Sequence, residues 1–384
     1  MQLPGFYEFF CGGGMARAGL GPDWHCLFAN DFDAKKGASY ADNWGAAALR
    51  VADIASLCAD DLPGRADLAW ASFPCQDLSL AGAGKGLAGA RSGALWRFLA
   101  LMRALRSQGR APKLLALENV LGALTANGGE DFQAICRALR DLGYRFGALT
   151  IDAAHFTPQS RPRLFVVALR ADVAPPRRLT LHAAPDRAAP ALLRAVARFD
   201  PALAGAWLWW ALPALPRRDA ELADLVEQDP VDAPWHGAAQ TAALVAMMDG
   251  PALRKIAEAR CGGRTCYGAL FRRTRRDRAG AAIVRAEVRF DGLAGCLRTP
   301  GGGSSRQFLI EIAGDATRTR LLSAREAARL MGLPETYRLP ASRNAAYHLL
   351  GDGVVAPVVR HLSEALLLPL AKAQAAGAAA AAAA

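Results

Sequence analysis

Over its first 170 residues the chain alternates short apolar runs with longer helix-compatible stretches. That alternation predicts an α/β fold, a doubly wound and mostly parallel sheet with helices on both faces. Two further observations refine it. The apolar runs end in short polar or glycine-rich turns, which gathers the chemistry-bearing residues at the carboxyl ends of the strands. The alternation also stops near Arg170, and the stretch from Val173 to Pro190 is rich in Pro and Ala, as a domain boundary would be. A smaller second domain is therefore expected.

The strand candidates are Phe6–Phe10, His25–Asn30, Leu68–Phe73, Leu114–Leu117, Arg145–Ile151 and Leu164–Leu169. Helices are expected over Met15–Leu20, Ala34–Asn43, Leu95–Gln108 and Asp131–Leu142. Farther on, Ser323 and Glu326 form a capping box ahead of a helix that Gly332 ends. A closing helix is expected over Val354 to Leu370. The Ala-rich residues 375–384 are a low-complexity tail.

Composition narrows the class. The chain has 384 residues, 52% hydrophobic and 21% charged, which supports a packed core and excludes a disordered chain. Its net charge is +11, carried mostly by arginine, as suits a nucleic-acid partner; the competing explanation is the codon bias of a GC-rich genome. The 8 cysteines are scattered, without zinc or disulfide spacing, and read as reduced thiols. No signal peptide and no apolar run of membrane-spanning length is evident, so a cytoplasmic protein is expected.

The chemistry concentrates at four strand ends. Phe10-x-Gly12-x-Gly14 lies between a strand and a helix, where a backbone can approach a nucleotide-like cofactor. Asp31, about twenty positions on, could hold a ribose hydroxyl pair. Phe32 could cover an adenine ring, and Asp53-Ile54 could supply a base contact. These features are compatible with NAD, FAD or S-adenosylmethionine. Pro74-Cys75 presents a thiol on a turn, and Glu118-Asn119-Val120 places a carboxylate at the next strand end. Gln159-Ser160-Arg161-Pro162-Arg163 brings two arginines to a strand entry, where a period of two would send both to one face.

In this order FFCGGGMARAGLG, PCQDLSLAG, ENV, QSRPR, RLLSAREAARLMGLP and YHLLGDGVV resemble the motifs of the bacterial-type DNA (cytosine-5)-methyltransferase family. They run from Phe6 to about His361, nearly the whole chain. The resemblance implies a Rossmann-like, S-adenosylmethionine-dependent methyltransferase domain over 1–174 and 315–374, with a smaller inserted target-recognition domain over 175–314. It implies Cys75 as the nucleophile toward C6 of a flipped cytosine, Glu118 on the base's N3 edge and Arg163 on its oxygen, with Arg161 in support. The methyl group would pass from S-adenosylmethionine to C5, with S-adenosylhomocysteine as product. Phe10, Gly12, Gly14, Asp31, Phe32, Asp53, Ile54, Pro74, Asp352 and Val354 would line the cofactor site.

Duplex DNA is the implied partner. Gln76, Ser79 and Arg91 are expected near the vacated base position, and Arg272, Arg273 and Arg275 on phosphates. Thr265 and Thr299 are both candidates for the recognition domain's threonine, and the patch Trp207, Trp209 and Trp210 is expected to pack between lobes. Three departures from the family pattern stand out: Glu8 replaces the usual Asp, Met15 a glycine, and Asp352 an asparagine. The start of the chain so close to the glycine turn suits a bacterial or phage enzyme. A monomer is expected, either solitary or paired with a cognate restriction endonuclease. A transfer-RNA methyltransferase is the rival within the family. A dinucleotide oxidoreductase, which would leave Cys75 and Glu118 idle, and a purely DNA-binding regulator are the rivals outside it.

Overall fold

Gly5–Phe9 (β1) is buried at all five positions, because its two faces are both covered. Around it lie His25–Asp31 (β2), Leu49–Val51 (β3), Leu68–Ala71 (β4), Leu114–Val120 (β5), Tyr144–Asp152 (β6) and Pro162–Arg170 (β7). They form one sheet in the order β3-β2-β1-β4-β5-β7-β6. β1, β2, β3, β4 and β5 pair in parallel, and β7 enters antiparallel to β5. The architecture is the expected α/β one. This computed structural model describes residues 3–74, 93–277, 279–300 and 306–373.

The expected strands and helices appear, with ends shifted by a few residues. Met15–Leu20 (α1) follows the glycine turn, and Ala34–Trp44 (α2) is capped by Asp33, whose carboxylate accepts from the N–H groups of Lys35 and Lys36. Gly93–Ser107 (α3) and Glu130–Asp141 (α4) press Phe98, Leu99, Met102, Phe132, Ile135 and Leu139 onto one sheet face, against Tyr7, Phe9 and Leu117. On the opposite face Phe6 meets Trp24 edge-on at 6.5 Å, and Trp24 donates its indole N–H to Ser363. β3 escapes a reading by periodicity because it is three residues long and largely exposed.

Two compact units emerge, and their limits differ from the expected domain boundaries. One comprises 1–151, 162–214 and 358–384; the other comprises 152–161 and 215–357. Residues 175–214 join the first unit for a packing reason. Thr180–Leu181 (β8) pairs with Trp209–Trp210 (β9), Pro190–Val196 (α5) and Pro201–Ala206 (α6) lie between them, and Leu208 N–H donates to Phe146 O at 2.7 Å. Trp207 stacks edge-on against Phe146 and Phe199 at 6.0 and 5.3 Å. The tryptophan patch therefore packs inside the first unit and not between lobes.

In the second unit Ala238–Ala246 (α7) and Gly250–Cys261 (α8) cover a four-stranded antiparallel sheet. Its strands are Cys266–Arg276 (β10), Ala282–Arg289 (β11), Gln307–Ala313 (β12) and Ala316–Leu321 (β13), in the order β11-β10-β12-β13. Because β13 pairs with β12 along its length, residues after 314 belong with this sheet. Ala324–Leu330 (α9) carries the expected capping box: Ser323 Oγ accepts from Glu326 N–H, and Glu326 Oε2 accepts from Ser323 N–H at 2.7 Å. The closing helix appears over 356–371, close to the expected bounds. Arg343–Asp352 (α10) stops at Gly353, then Ala356–Leu362 (α11), one π-turn over Ser363–Leu367 and Leu368–Ala371 (α12) continue the chain. The stretch Arg343–Ala371 has the length and composition to cross a membrane, but it is mostly buried within the protein.

Arg320 and Glu326 form a bidentate ion pair at 2.7 and 2.6 Å with both side chains essentially inaccessible. Removing one partner from such a pair strands a buried charge, at about 3–5 kcal/mol. Glu326→Ala should lower the urea midpoint accordingly. A loss under about 1 kcal/mol would show that Arg320 relaxes to solvent.

Candidate active site

The sheet changes winding direction at β1, whose neighbours are β2 on one side and β4 on the other. Ligands of such sheets bind at the carboxyl ends beside this point. Phe10, at φ 57°, and Gly12, at φ 52°, turn the chain sharply there. Phe10 adopts a conformation rare for a bulky residue. Gly12 has open space where a Cβ would stand, whereas a Cβ on Gly14 would lie 2.3 Å from the Trp44 indole nitrogen. One glycine leaves room above the turn, and the other lets α2 approach it.

Asp31 holds this turn. Its Oδ2 accepts from Gly12 N–H at 2.8 Å and its Oδ1 from Asp33 N–H at 2.9 Å. Burial raises its pKa above the usual carboxylate range, against the lowering by these two N–H groups. Each oxygen keeps a lone pair for a ligand hydroxyl. Phe32 beside it is 70% exposed, a bare ring at the rim. Asp53 is exposed and caps the turn Ile54–Ser56 through Ala55 N–H, while Ile54 is buried. Pro74 is the last described residue after β4 and is exposed.

Beneath the turn sits Glu8, which sequence reasoning noticed only as a departure. It is 1% exposed, and its Oε1 accepts from Arg17 N–H at 3.3 Å, in the first turn of α1. A carboxyl group thus occupies the place where a dinucleotide-binding fold receives its diphosphate. Asp31 adds a second carboxyl group beside this turn.

A further buried carboxylate lies two strands over, on β5. In the β5–β7 register Glu118 faces Phe165 and Val120 faces Arg163, so Glu118 and Arg163 are diagonal neighbours on one sheet face. Arg163 Nε stands 3.2 Å from Glu118 Oε1, with both side chains largely buried. Asn119, on the opposite face, donates to Phe73 O at 3.0 Å and accepts from Val120 N–H. It ties the end of β5 to the segment that leads from β4 into Pro74. Its sequence signal was its place between Glu118 and Val120. Cys75, Gln76, Ser79 and Arg91 lie outside the described residues.

The second unit contains the rest. Arg161 is 3% exposed and donates to the carbonyls of Leu297, Gly351 and Gly353 at 2.5, 2.9 and 2.7 Å. Gln159, fully buried, donates to Leu330 O and accepts from Leu297 N–H. These two side chains clamp the strand-like segment before Thr299 to the end of α10. Asp352 is exposed and accepts from the Thr299 hydroxyl, and Val354 is buried. Thr265 lies just ahead of β10. Arg272 rests over the Phe308 ring at 5.6 Å and Arg273 over Phe271 at 4.8 Å, while Arg275 pairs with Glu287.

Comparisons with known proteins place the chain in a family. The profile of the C-5 cytosine-specific DNA methylase family matches residues 5–367. The chain belongs to that family. The type II methyltransferase M.MspI of Moraxella is 24% identical over 368 residues, 95% of this chain and 71% of that protein. M.BsuFI of Bacillus subtilis is 31% identical over 170 residues, 44% of this chain and 40% of that protein. Among solved structures, the Dnmt2 methyltransferase of S. pombe (TM-score 0.56, 18% identity) and the EhMeth methyltransferase of Entamoeba histolytica (TM-score 0.59, 15% identity) share the fold. Each match covers 96% of this chain and 99% of the other. Membership of this family implies a methyl donor of the S-adenosylmethionine type.

Asn119→Ala would leave the Phe73 carbonyl without its buried donor, at a cost of about 1–3 kcal/mol. Asn119→Asp should fail to restore it, because a carboxylate cannot donate. Urea unfolding of both variants checks this, and full stability in the Asp variant would refute the donor role.

Proposed function

We propose that the enzyme methylates C5 of a cytosine flipped out of duplex DNA, with Cys75 as covalent nucleophile. The observation that carries this reading is the Glu118–Arg163 pair at the end of β5, tied through Asn119 to the segment that runs into Cys75. A cytosine there would offer a ring nitrogen and amine to the carboxylate and its oxygen to the guanidinium. Flipping is required because the target atoms are inaccessible inside a duplex.

The Cys75 thiolate attacks C6, and Glu118, hydrogen-bonded to N3, supports the charge moving into the ring. S-adenosylmethionine, when bound, supplies an electrophilic methyl group. C5 becomes nucleophilic through the Cys75 adduct and takes that methyl group. Loss of the C5 proton to water then expels the Cys75 thiolate and restores the ring. Arg163 holds Glu118 and the base oxygen together; Arg161 acts as a positioning residue through the backbone it clamps.

For the donor, Phe10, Gly12 and Gly14 would shape the floor, Asp31 the ribose contact, and Phe32, Asp53, Ile54 and Pro74 the adenine surround. Asp352 and Val354 follow from the family motif as further cofactor contacts; S-adenosylhomocysteine is the product. The second unit, 215–357, would read DNA. In it β12 pairs with β10 only from Cys266 to Phe271, so the outer β10–β11 ribbon carries Arg272, Arg273 and Arg275 beyond the sheet. A two-stranded ribbon fits the major groove, and arginines suit its phosphates. Gln76, Ser79 and Arg91 would fill the space the base leaves. We expect a cytoplasmic monomer with a restriction endonuclease as genetic partner.

The test is incubation of the purified protein with S-adenosylmethionine and random-sequence duplex DNA, followed by conversion-based mapping of 5-methylcytosine. Methylation within one short motif supports the proposal; methylation of RNA alone would overturn the choice of DNA. Cys75→Ser should lose methyl transfer by orders of magnitude with near-normal cofactor affinity, measured by calorimetry. Asp31→Ala should instead weaken cofactor binding first, by about tenfold or more, since two turn N–H groups and the ribose lose their acceptor. Unchanged affinity in that variant would remove Asp31 from the site.

A further inference from the structure

Among the described residues, Glu8 is a buried carboxyl group at this end of the sheet to which the proposed reaction gives no task. It shares a face with Trp70 and Ala116 by register; its Oε1 accepts from the Arg17 N–H, and the Ala16 N–H also bonds the carboxyl group. Its Oε2 is buried and has no hydrogen-bond partner among the described residues. The groups that face it are Arg17 of α1, Asp31 and Cys26 of β2, Tyr40 of α2 and Cys11 of the glycine turn. Arg17, the single cation among them, is committed elsewhere. It donates to Tyr40 Oη at 2.9 Å and lies over the Tyr40 and Trp44 rings at 5.7 and 5.1 Å. An orphaned acid oxygen is thus held under the turn where a cationic cofactor is expected, with the shared Arg17 as its nearby cation.

We propose that Glu8 is the counter-charge for the cofactor: neutral in the free protein, it gives up its proton to solvent when a positively charged donor occupies the turn. Binding and proton release are then coupled. The inference rests on the cofactor reading above. Burial pushes the Glu8 carboxyl up to about 8, opposed by the Arg17 N–H and charge and assisted by Asp31. At neutral pH the empty site therefore holds the acid form, and a nearby cation favours the ionised one. The sulfonium of S-adenosylmethionine carries a charge that the thioether of S-adenosylhomocysteine lacks, while both share the same ammonium and carboxylate. Donor binding gains from Glu8 ionisation more than product binding does. Raising the pH toward 8 should widen the preference for donor over product, which eases product release.

The sign follows from linkage. A ligand that binds with proton release binds more tightly as pH rises, by up to tenfold per unit below the free-state value, and levels off above it. For the empty protein the unfolded chain binds fewer protons than the folded one between the usual glutamate range and about pH 8, so stability falls as pH rises through that window.

The experiment is calorimetric titration of the whole protein with S-adenosylmethionine and with S-adenosylhomocysteine, in phosphate and in Tris, from pH 6.5 to 8.5. The expected result is greater proton release with the donor than with the product near pH 7, and donor affinity rising severalfold per unit to pH 8. Glu8→Gln should still bind both ligands and lose the difference in proton release and the slope; Glu8→Asp should restore part of each. Equal proton release from wild type and Glu8→Gln, or a flat wild-type affinity profile, overturns the proposal. The wild-type profile decides the matter even if the variants fold poorly. A wild-type protein that binds neither ligand would sink the cofactor reading first, and this inference with it.

Discussion

β7 runs against β5, and much of the reactive end follows from that single reversal of direction. In a parallel pairing the first residues of β7 would lie beside the first residues of β5, a strand's length from Glu118. Antiparallel pairing brings Pro162 and Arg163 alongside Asn119 and Val120, and the diagonal places a guanidinium on Glu118. Glu118 is only 6% exposed, so without that partner its charge would face the full cost of desolvation. The register therefore makes a buried, ionisable carboxylate tenable where a base is to be held.

The same sheet face carries two acids in contrasting surroundings. Glu118 has a guanidinium at 3.2 Å, whereas Glu8 has backbone N–H groups and an orphaned oxygen. Environment rather than residue type separates the two: one is paired with a guanidinium, the other buried with an orphaned oxygen. Asp31, on the neighbouring strand, is a third kind, with both oxygens engaged by the turn it shapes. The glycine turn is thus held by acids.

The Gln159–Arg163 motif divides its labour in a way its even spacing conceals. Gln159 and Arg161 turn into the second unit and bind main-chain carbonyls and an N–H, whereas Arg163 stays in the first and meets Glu118. The excursion of 152–161 out of the sheet between β6 and β7 explains the split. Arg161 is consequently a structural clamp on Leu297, Gly351 and Gly353, set beside Thr299 and Asp352, which bond to each other.

Local pattern was enough to determine the α/β class, the strand ends that bear Gly12, Asp31, Pro74 and Glu118, and the capping box at Ser323. Each depends on hydrophobic period, turn chemistry or side-chain capping, all of which act within a few residues. Tertiary structure alone decided the rest. The short, exposed β3 has no period to read, and the β10–β13 sheet hides among arginines whose strand character comes from pairing partners. The unit limits at 214 and 357 follow from the packing of Trp207 against Phe146 and from β13 on β12, both contacts between distant residues. The direction of β7, the lost proton partner of Glu8 and the carbonyls held by Arg161 are likewise long-range. Such contacts are set by which surfaces bury one another, and a linear pattern carries no term for that.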